Sequence, residues 1–95
     1  MFDAFEWDPA KAAANLAKHR VSFLQASRIF AGPVLTRIDD RTDYGEPRYI
    51  SVGEADGRCL VVVHTPRNET TRIISARRAI SAERASYYRI IHGNG

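Results

Sequence analysis

Arg72-Ile73-Ile74-Ser75-Ala76-Arg77-Arg78, residues 72–78, is the stretch on which the reading of the fold turns. Its β-branched and small residues predict a strand from Thr70 to Arg77. The strand runs straight into a last helix, with Ser81 as the expected N-cap and Glu83 in the first turn. Ala85, Tyr88 and Ile91 mark the expected apolar face of that helix. It should end near His92, with His92-Gly93-Asn94-Gly95 frayed.

Working back from this strand, Pro66-Arg67-Asn68-Glu69 makes a turn. Arg58 to Thr65 holds the apolar run Cys59–Val63 and reads as a central, buried strand. Asp56-Gly57 is a strong hairpin signal. It leads back to a strand from Arg48 to Glu54, with Ile50 and Val52 on one face and Tyr49 and Ser51 on the other. Asp39 to Pro47 is a charged, turn-rich surface loop, and Val34 to Ile38 is a further strand. Ahead of it the periodicity becomes helical. Asp8-Pro9 supplies a cap and a first-turn proline for a helix to about His19. Ala10, Ala13, Leu16 and Ala17 are its expected packing face. Ser22 and Gln25 form a capping-box pattern for a second helix. Phe23, Ala26 and Phe30, with Ile29 beside them, form its stripe, and Gly32-Pro33 stops it. Phe2 to Trp7 reads as a brief strand. The expected class is α+β: two N-terminal helices, an antiparallel sheet of about four strands, and a C-terminal helix.

At 95 residues the chain suits one small domain spanning 1–95. It shows no apolar run long enough for a membrane span and no secretory signal. Its single cysteine, Cys59, excludes an internal disulfide and a cysteine-based zinc cluster within one chain. That usage fits a reducing cytoplasm, the expected location. Of 14 basic residues, 12 are arginine, the side chain best shaped to grip phosphate or carboxylate. A GC-rich genome is the competing explanation. Charge is also uneven: Glu69 to Gly95 holds five arginines against two glutamates, whereas Thr36 to Glu46 holds two arginines against four acids. An anionic partner at one end and a different contact at the other would fit this asymmetry.

Several separated motifs agree with one known family. Phe5-Glu6-Trp7-Asp8, Lys18-His19, Asp43-Tyr44-Gly45-Glu46 with Arg48, Ile73-Ile74-Ser75-Ala76-Arg77, and Glu83-Arg84 with Tyr87 together resemble the BrnT toxins. The resemblance covers roughly residues 5–88, in the same order and at similar spacing. Family members usually carry glycine after the Lys-His pair, where this chain has Arg20. The resemblance implies a RelE-like fold and a ribonuclease that arrests translation. It further implies a BrnA-type antitoxin partner, through which alone DNA would be contacted.

Metal-free RNA cleavage needs a base for the 2′-hydroxyl, an acid for the leaving 5′-oxygen, and cations for the transition-state charge. Arg77 is the first candidate for the phosphate, with pairing to Glu83 as its structural alternative. If Ile74 faces the helical layer, alternation puts Arg72 and Arg78 on that side, and Ile73, Ser75 and Arg77 on the other. His64 is the general acid or base if it lies beside Arg77, and otherwise a hydrogen-bonded core histidine. Arg72 completes the catalytic candidates. Arg78, Arg84, Lys18, His19, Tyr49 and Tyr44 are the candidate RNA contacts, the tyrosines by stacking. Solvated surface charge and packing are their alternatives. No metal-ligand spacing, Gly-rich phosphate loop or nucleophile elbow occurs, so no cofactor is expected. The other reading of the whole chain is a small non-enzymatic module that binds a protein or nucleic acid.

Overall fold

The computed structural model describes residues 4–93. Phe2 and the last two residues, Asn94 and Gly95, lie outside the described residues. The elements run β1 (Ala4–Glu6), α1 (Pro9–His19), α2 (Phe23–Ser27) with a 3-10 turn at Arg28–Ala31, β2 (Val34–Ile38), β3 (Tyr49–Ala55), β4 (Arg58–Arg67), β5 (Thr70–Arg78) and α3 (Ser81–Ile91). The class is α+β. The sheet has five strands in the order β1-β5-β4-β3-β2, not four. It is mixed rather than wholly antiparallel, because β1 pairs parallel to β5 through Ala4–Thr70, Phe5–Thr71 and Glu6–Arg72. Glu6 fixes this edge by accepting hydrogen bonds from Arg72 at 2.6 Å and Thr70 at 2.9 Å.

Two apolar layers sandwich the sheet. On one face Val21, Phe23, Ala26 and Ile29 pack on Leu60, Val62, Ile73 and Ala76. On the other, Tyr87 packs with Ile50, Cys59, Val61 and Val63. Phe23, Ile29, Leu60 and Ile73 are fully buried, each contributing about 1.5–3 kcal/mol through area removed from water. The first layer packs so closely that Gly53 in β3 has no room for a side chain. A Cβ there would stand 2.9 Å from both Ile29 Cβ and Val34 Cγ1.

α1 turns a different face to the sheet from the one its alanines suggest. Ala10, Ala13, Leu16 and Ala17 are exposed, while Ala12, Asn15 and His19 turn inward. Asn15 sets this rotation. β1 covers β5 only as far as Arg72, leaving the edge beyond it open. There the Asn15 amide takes the place of a neighbouring strand. Its Oδ1 accepts from the Ala76 N–H at 3.1 Å, and its Nδ2 donates to the Ala76 carbonyl at 2.9 Å and the Val21 carbonyl at 3.0 Å.

Helix ends follow the expected chemistry with one exception. Asp8 Oδ1 caps α1 and Ser22 Oγ caps α2. Ser81, expected to cap α3, is instead its first residue. Ile80 stands at the cap position, and Glu83 reaches back to accept its N–H at 2.9 Å. The α3 face is also shifted: Tyr87 is buried and Ala85 exposed. The Tyr87 hydroxyl donates to the Pro33 carbonyl at 2.6 Å and that of Tyr88 to Glu54 at 2.8 Å, tying the helix across the sheet.

Arg20 closes α1 in the left-handed region at φ 61°, donating its N–H to the Leu16 carbonyl. That conformation costs an L-residue about 1–2 kcal/mol and glycine almost nothing. Glycine would be the unstrained residue at this position. Arg20→Gly is expected to stabilise the fold by about 1 kcal/mol, read as a rise in the urea midpoint at unchanged slope.

Candidate active site

The sheet register lays out a floor on the α3 side. Pairings across four strands form two rows: Leu35, Val52, Val61 and Arg77 in one, and Arg37, Ile50, Val63 and Ser75 in the next. Arg37 on β2 and Arg77 on β5 thus reach over the floor from opposite ends. An open cavity lies over the second row, where Arg37, Arg41, Arg77 and His19 converge above Ile50, Val63 and Ser75. His19 arrives from the last turn of α1 and Arg41 from the loop after β2. A cleft lined by charge of one sign focuses the field and favours an anionic ligand.

Two carboxylates orient two of these arginines. Glu83 grips Arg77 through both oxygens, at 2.8 Å each. Asp39, its side chain wholly buried, holds Arg41 through Nε and Nη2 at 2.7 Å each. Arg37 makes no hydrogen bond or ion pair among the described residues, so its charge is available to a ligand. The Arg77 guanidinium, with the Ile80 N–H in support, holds the Glu83 carboxyl down at about 2. Arg41 does the same for Asp39, also about 2.

These depressed values set a sign for pH dependence. The ordinary values are 4.5 for Glu83 and 3.8 for Asp39. Ionised pairing stabilises the fold fully above those values and is lost as pH falls toward about 2. A decline in urea midpoints is expected to start near pH 6.5, because the buried His64 is protonated more readily in the unfolded chain. Beneath it, the carboxylate contribution is expected to be level from neutral pH to about 5 and to fall below about 4.5. Glu83→Gln should flatten part of that fall.

A family model described as "Ribonuclease toxin, BrnT, of type II toxin-antitoxin system" matches residues 7–83. The chain belongs to the BrnT family of ribonuclease toxins. The matched span contains every residue that lines this cavity, from His19 to Arg77, and the Glu83 that clamps Arg77. No curated protein matches the chain significantly. Membership of the BrnT family implies an RNA target and an antitoxin protein as partner.

The BrnT motifs scatter across the molecule, and only some meet at the cavity. His19 and Arg77 do. His64, a general acid or base only if beside Arg77, lies on the opposite face of the sheet and takes its alternative role of a hydrogen-bonded core histidine. Its ring packs edge-on against Phe30 at 5.0 Å, and its Nε2 hydrogen-bonds Ser51 Oγ at 2.7 Å. Burial pushes its pKa below the usual 6.5. Tyr49 pairs with His64 on that same far face.

The division of the arginines also changes. Val63 pairs with Ser75 and His64 with Ile73, so Ile74 is an extra residue in β5, a bulge. Ile73 faces the α1–α2 layer and Ile74 faces α3, and the expected alternation breaks after Ile74. The bulge brings Arg72 to the face of Arg77 and leaves Arg78 on the other. Even so, Arg72 lies five residues away, about 16 Å along the strand, and is bound to Glu6. Arg78, Arg84 and Lys18 are exposed. The ring of Tyr44 carries the Arg48 guanidinium at 4.0 Å and so anchors the 39–48 loop.

Sequence reasoning passed over Arg37 and Arg41, which sit in a segment of net negative charge. The signal was available in the register, since Arg37 heads the row that ends at Ser75. Among the described residues no group of three or more His, Cys, Asp or Glu is placed to hold a metal, and no helix is long and apolar enough to cross a membrane.

Proposed function

We propose that the protein is a metal-independent endoribonuclease that arrests translation in the cytoplasm and is neutralised by a BrnA-type antitoxin. The convergence of Arg37, Arg41 and Arg77 with His19 around one open cavity carries this reading. Three guanidinium groups supply the positive field that a phosphodiester needs when its non-bridging oxygens gain charge. An imidazole can take a proton at one nitrogen and give one from the other. In the proposed step His19 accepts the 2′-hydroxyl proton as that oxygen attacks phosphorus. The P–O5′ bond breaks, the 5′-oxygen takes a proton from water, and the hydroxide left behind takes the proton from His19, so that the products are a 2′,3′-cyclic phosphate and a free 5′-hydroxyl with His19 restored. Arg77, held in place by Glu83, and Arg37, which has no ion pair among the described residues, bind the phosphate; Arg41 adds charge from the rim.

The test is incubation of the purified, antitoxin-free protein with single-stranded RNA in excess EDTA. Cleavage is expected, with none at a position carrying a 2′-deoxyribose. Intact RNA with folded protein, or cleavage that requires an added divalent ion, would overturn the reading. Expression alone should halt growth, and co-expression of a BrnA-type protein should restore it.

A further inference from the structure

A second cavity adjoins the first and is left unused by phosphate chemistry. It has a volume of about 400 Å³ and lies between the first half of α3 and the other row of the sheet floor. Leu35, Val52 and Val61 form its base, with Glu83 and Ser86 on the helical side. The size falls in the range of about 300–1,000 Å³ typical of small-molecule sites. Its continuity with the phosphate cavity is direct, because Arg37 and Val61 line both.

The chemistry of the walls suits one occupant. The floor is a flat aliphatic surface of half-buried Leu35 and Val52 beside buried Val61. A planar ring can lie against it. Ser86 Oγ has no hydrogen-bond partner among the described residues. Glu83 has a spare acceptor site: Oε1 takes bonds from Arg77 and Ile80, but Oε2 takes only one. A polar edge is thus offered at one side of an apolar slot, next to a cluster of cations. We infer that this cavity binds the nucleobase adjoining the phosphate held by Arg37 and Arg77, so that the space under α3 is a base-recognition site. The inference rests on the proposed ribonuclease reading for its substrate, yet it can be tested without cleavage.

The probes are nucleoside 3′-monophosphates, ribose 5-phosphate and inorganic phosphate, titrated into the full chain while the methyl resonances of Leu35 and Val52 are followed by NMR. At least one nucleotide is expected to bind tenfold or more tighter than both base-free phosphates, and to shift those methyls. Ser86→Trp, which fills the slot from the helix, should erase that advantage without weakening inorganic phosphate. Val52→Phe fills it from the sheet and serves if the first variant does not fold. Equal affinity for nucleotide and inorganic phosphate, or nucleotide binding that leaves the Leu35 and Val52 methyls unmoved, overturns the inference. So does a Ser86→Trp protein that keeps full nucleotide affinity while escaping its antitoxin, since the slot would then seat a protein side chain. A protein that binds nucleotides as expected but leaves RNA intact would instead sink the ribonuclease reading and leave the base site standing.

Discussion

Arg77→Ala is expected to lower RNA cleavage by about two to three orders of magnitude, the usual loss when one preorganised donor to a charged transition state is removed. Arg77 is the only cavity arginine clamped through both guanidinium nitrogens to a carboxylate on α3, Glu83. Its fork therefore meets a phosphate already aimed, at little entropic cost. Arg77→Lys should recover only a small part of the loss, because an ammonium keeps the charge but cannot satisfy two acceptors in one plane. The alanine variant also leaves Glu83 partly buried without its counter-charge. Circular dichroism and a double variant, Arg77→Ala with Glu83→Ala, separate an unfolded protein from an inactive one. A well-folded Arg77→Ala protein that cleaves at the wild-type rate would remove Arg77 from the site.

The largest stability effect is expected at Asn15. Replacing it with leucine keeps the approximate volume and deletes every polar atom of the side chain. The Ala76 N–H and both carbonyls that Asn15 serves are then stranded on a buried edge. Each unsatisfied group costs about 1–3 kcal/mol. A loss of about 3 kcal/mol or more is expected, a large part of the roughly 5–15 kcal/mol that holds a domain together. Asn15→Asp should do no better at neutral pH, since it keeps the acceptor for Ala76 but turns a carboxylate oxygen toward two carbonyl oxygens. Urea denaturation measures the loss, and faster hydrogen exchange at the Ala76 amide locates it. Because Ala76 immediately precedes Arg77, activity should fall even in the fraction that remains folded.

The parts of the molecule that were legible in the sequence are those governed by near neighbours. Asp56-Gly57 forms its hairpin with φ angles of 53° and 78°, as Asp-Gly should. Asp8 and Ser22 cap the helices they precede. What escaped depended on partners distant in sequence. Asn15 looked like one more polar residue on a helix, and nothing nearby reveals an uncovered sheet edge sixty-one residues on. The extra residue at Ile74 leaves no trace in an alternating pattern, yet it inverts the relation of Arg72 to Arg77. Arg37 and Arg41 were concealed by the acids near them in sequence: averaged over the segment, the charge is negative, whereas the fold buries Asp39 against Arg41 and leaves both arginines exposed. His64 stayed open between a catalytic and a core role, because its place in a strand does not say whether it shares a face with Arg77; its hydrogen bond to Ser51 on the far face agrees with the core alternative.

The cavity draws its charged walls from residues 19, 37, 41, 77 and 83, and β1 closes on a strand that begins at Thr70. During synthesis, when chains fold from the N-terminus onward, no nascent fragment that ends before α3 contains the whole constellation. Such a fragment leaves Arg77 without the Glu83 clamp that orients it.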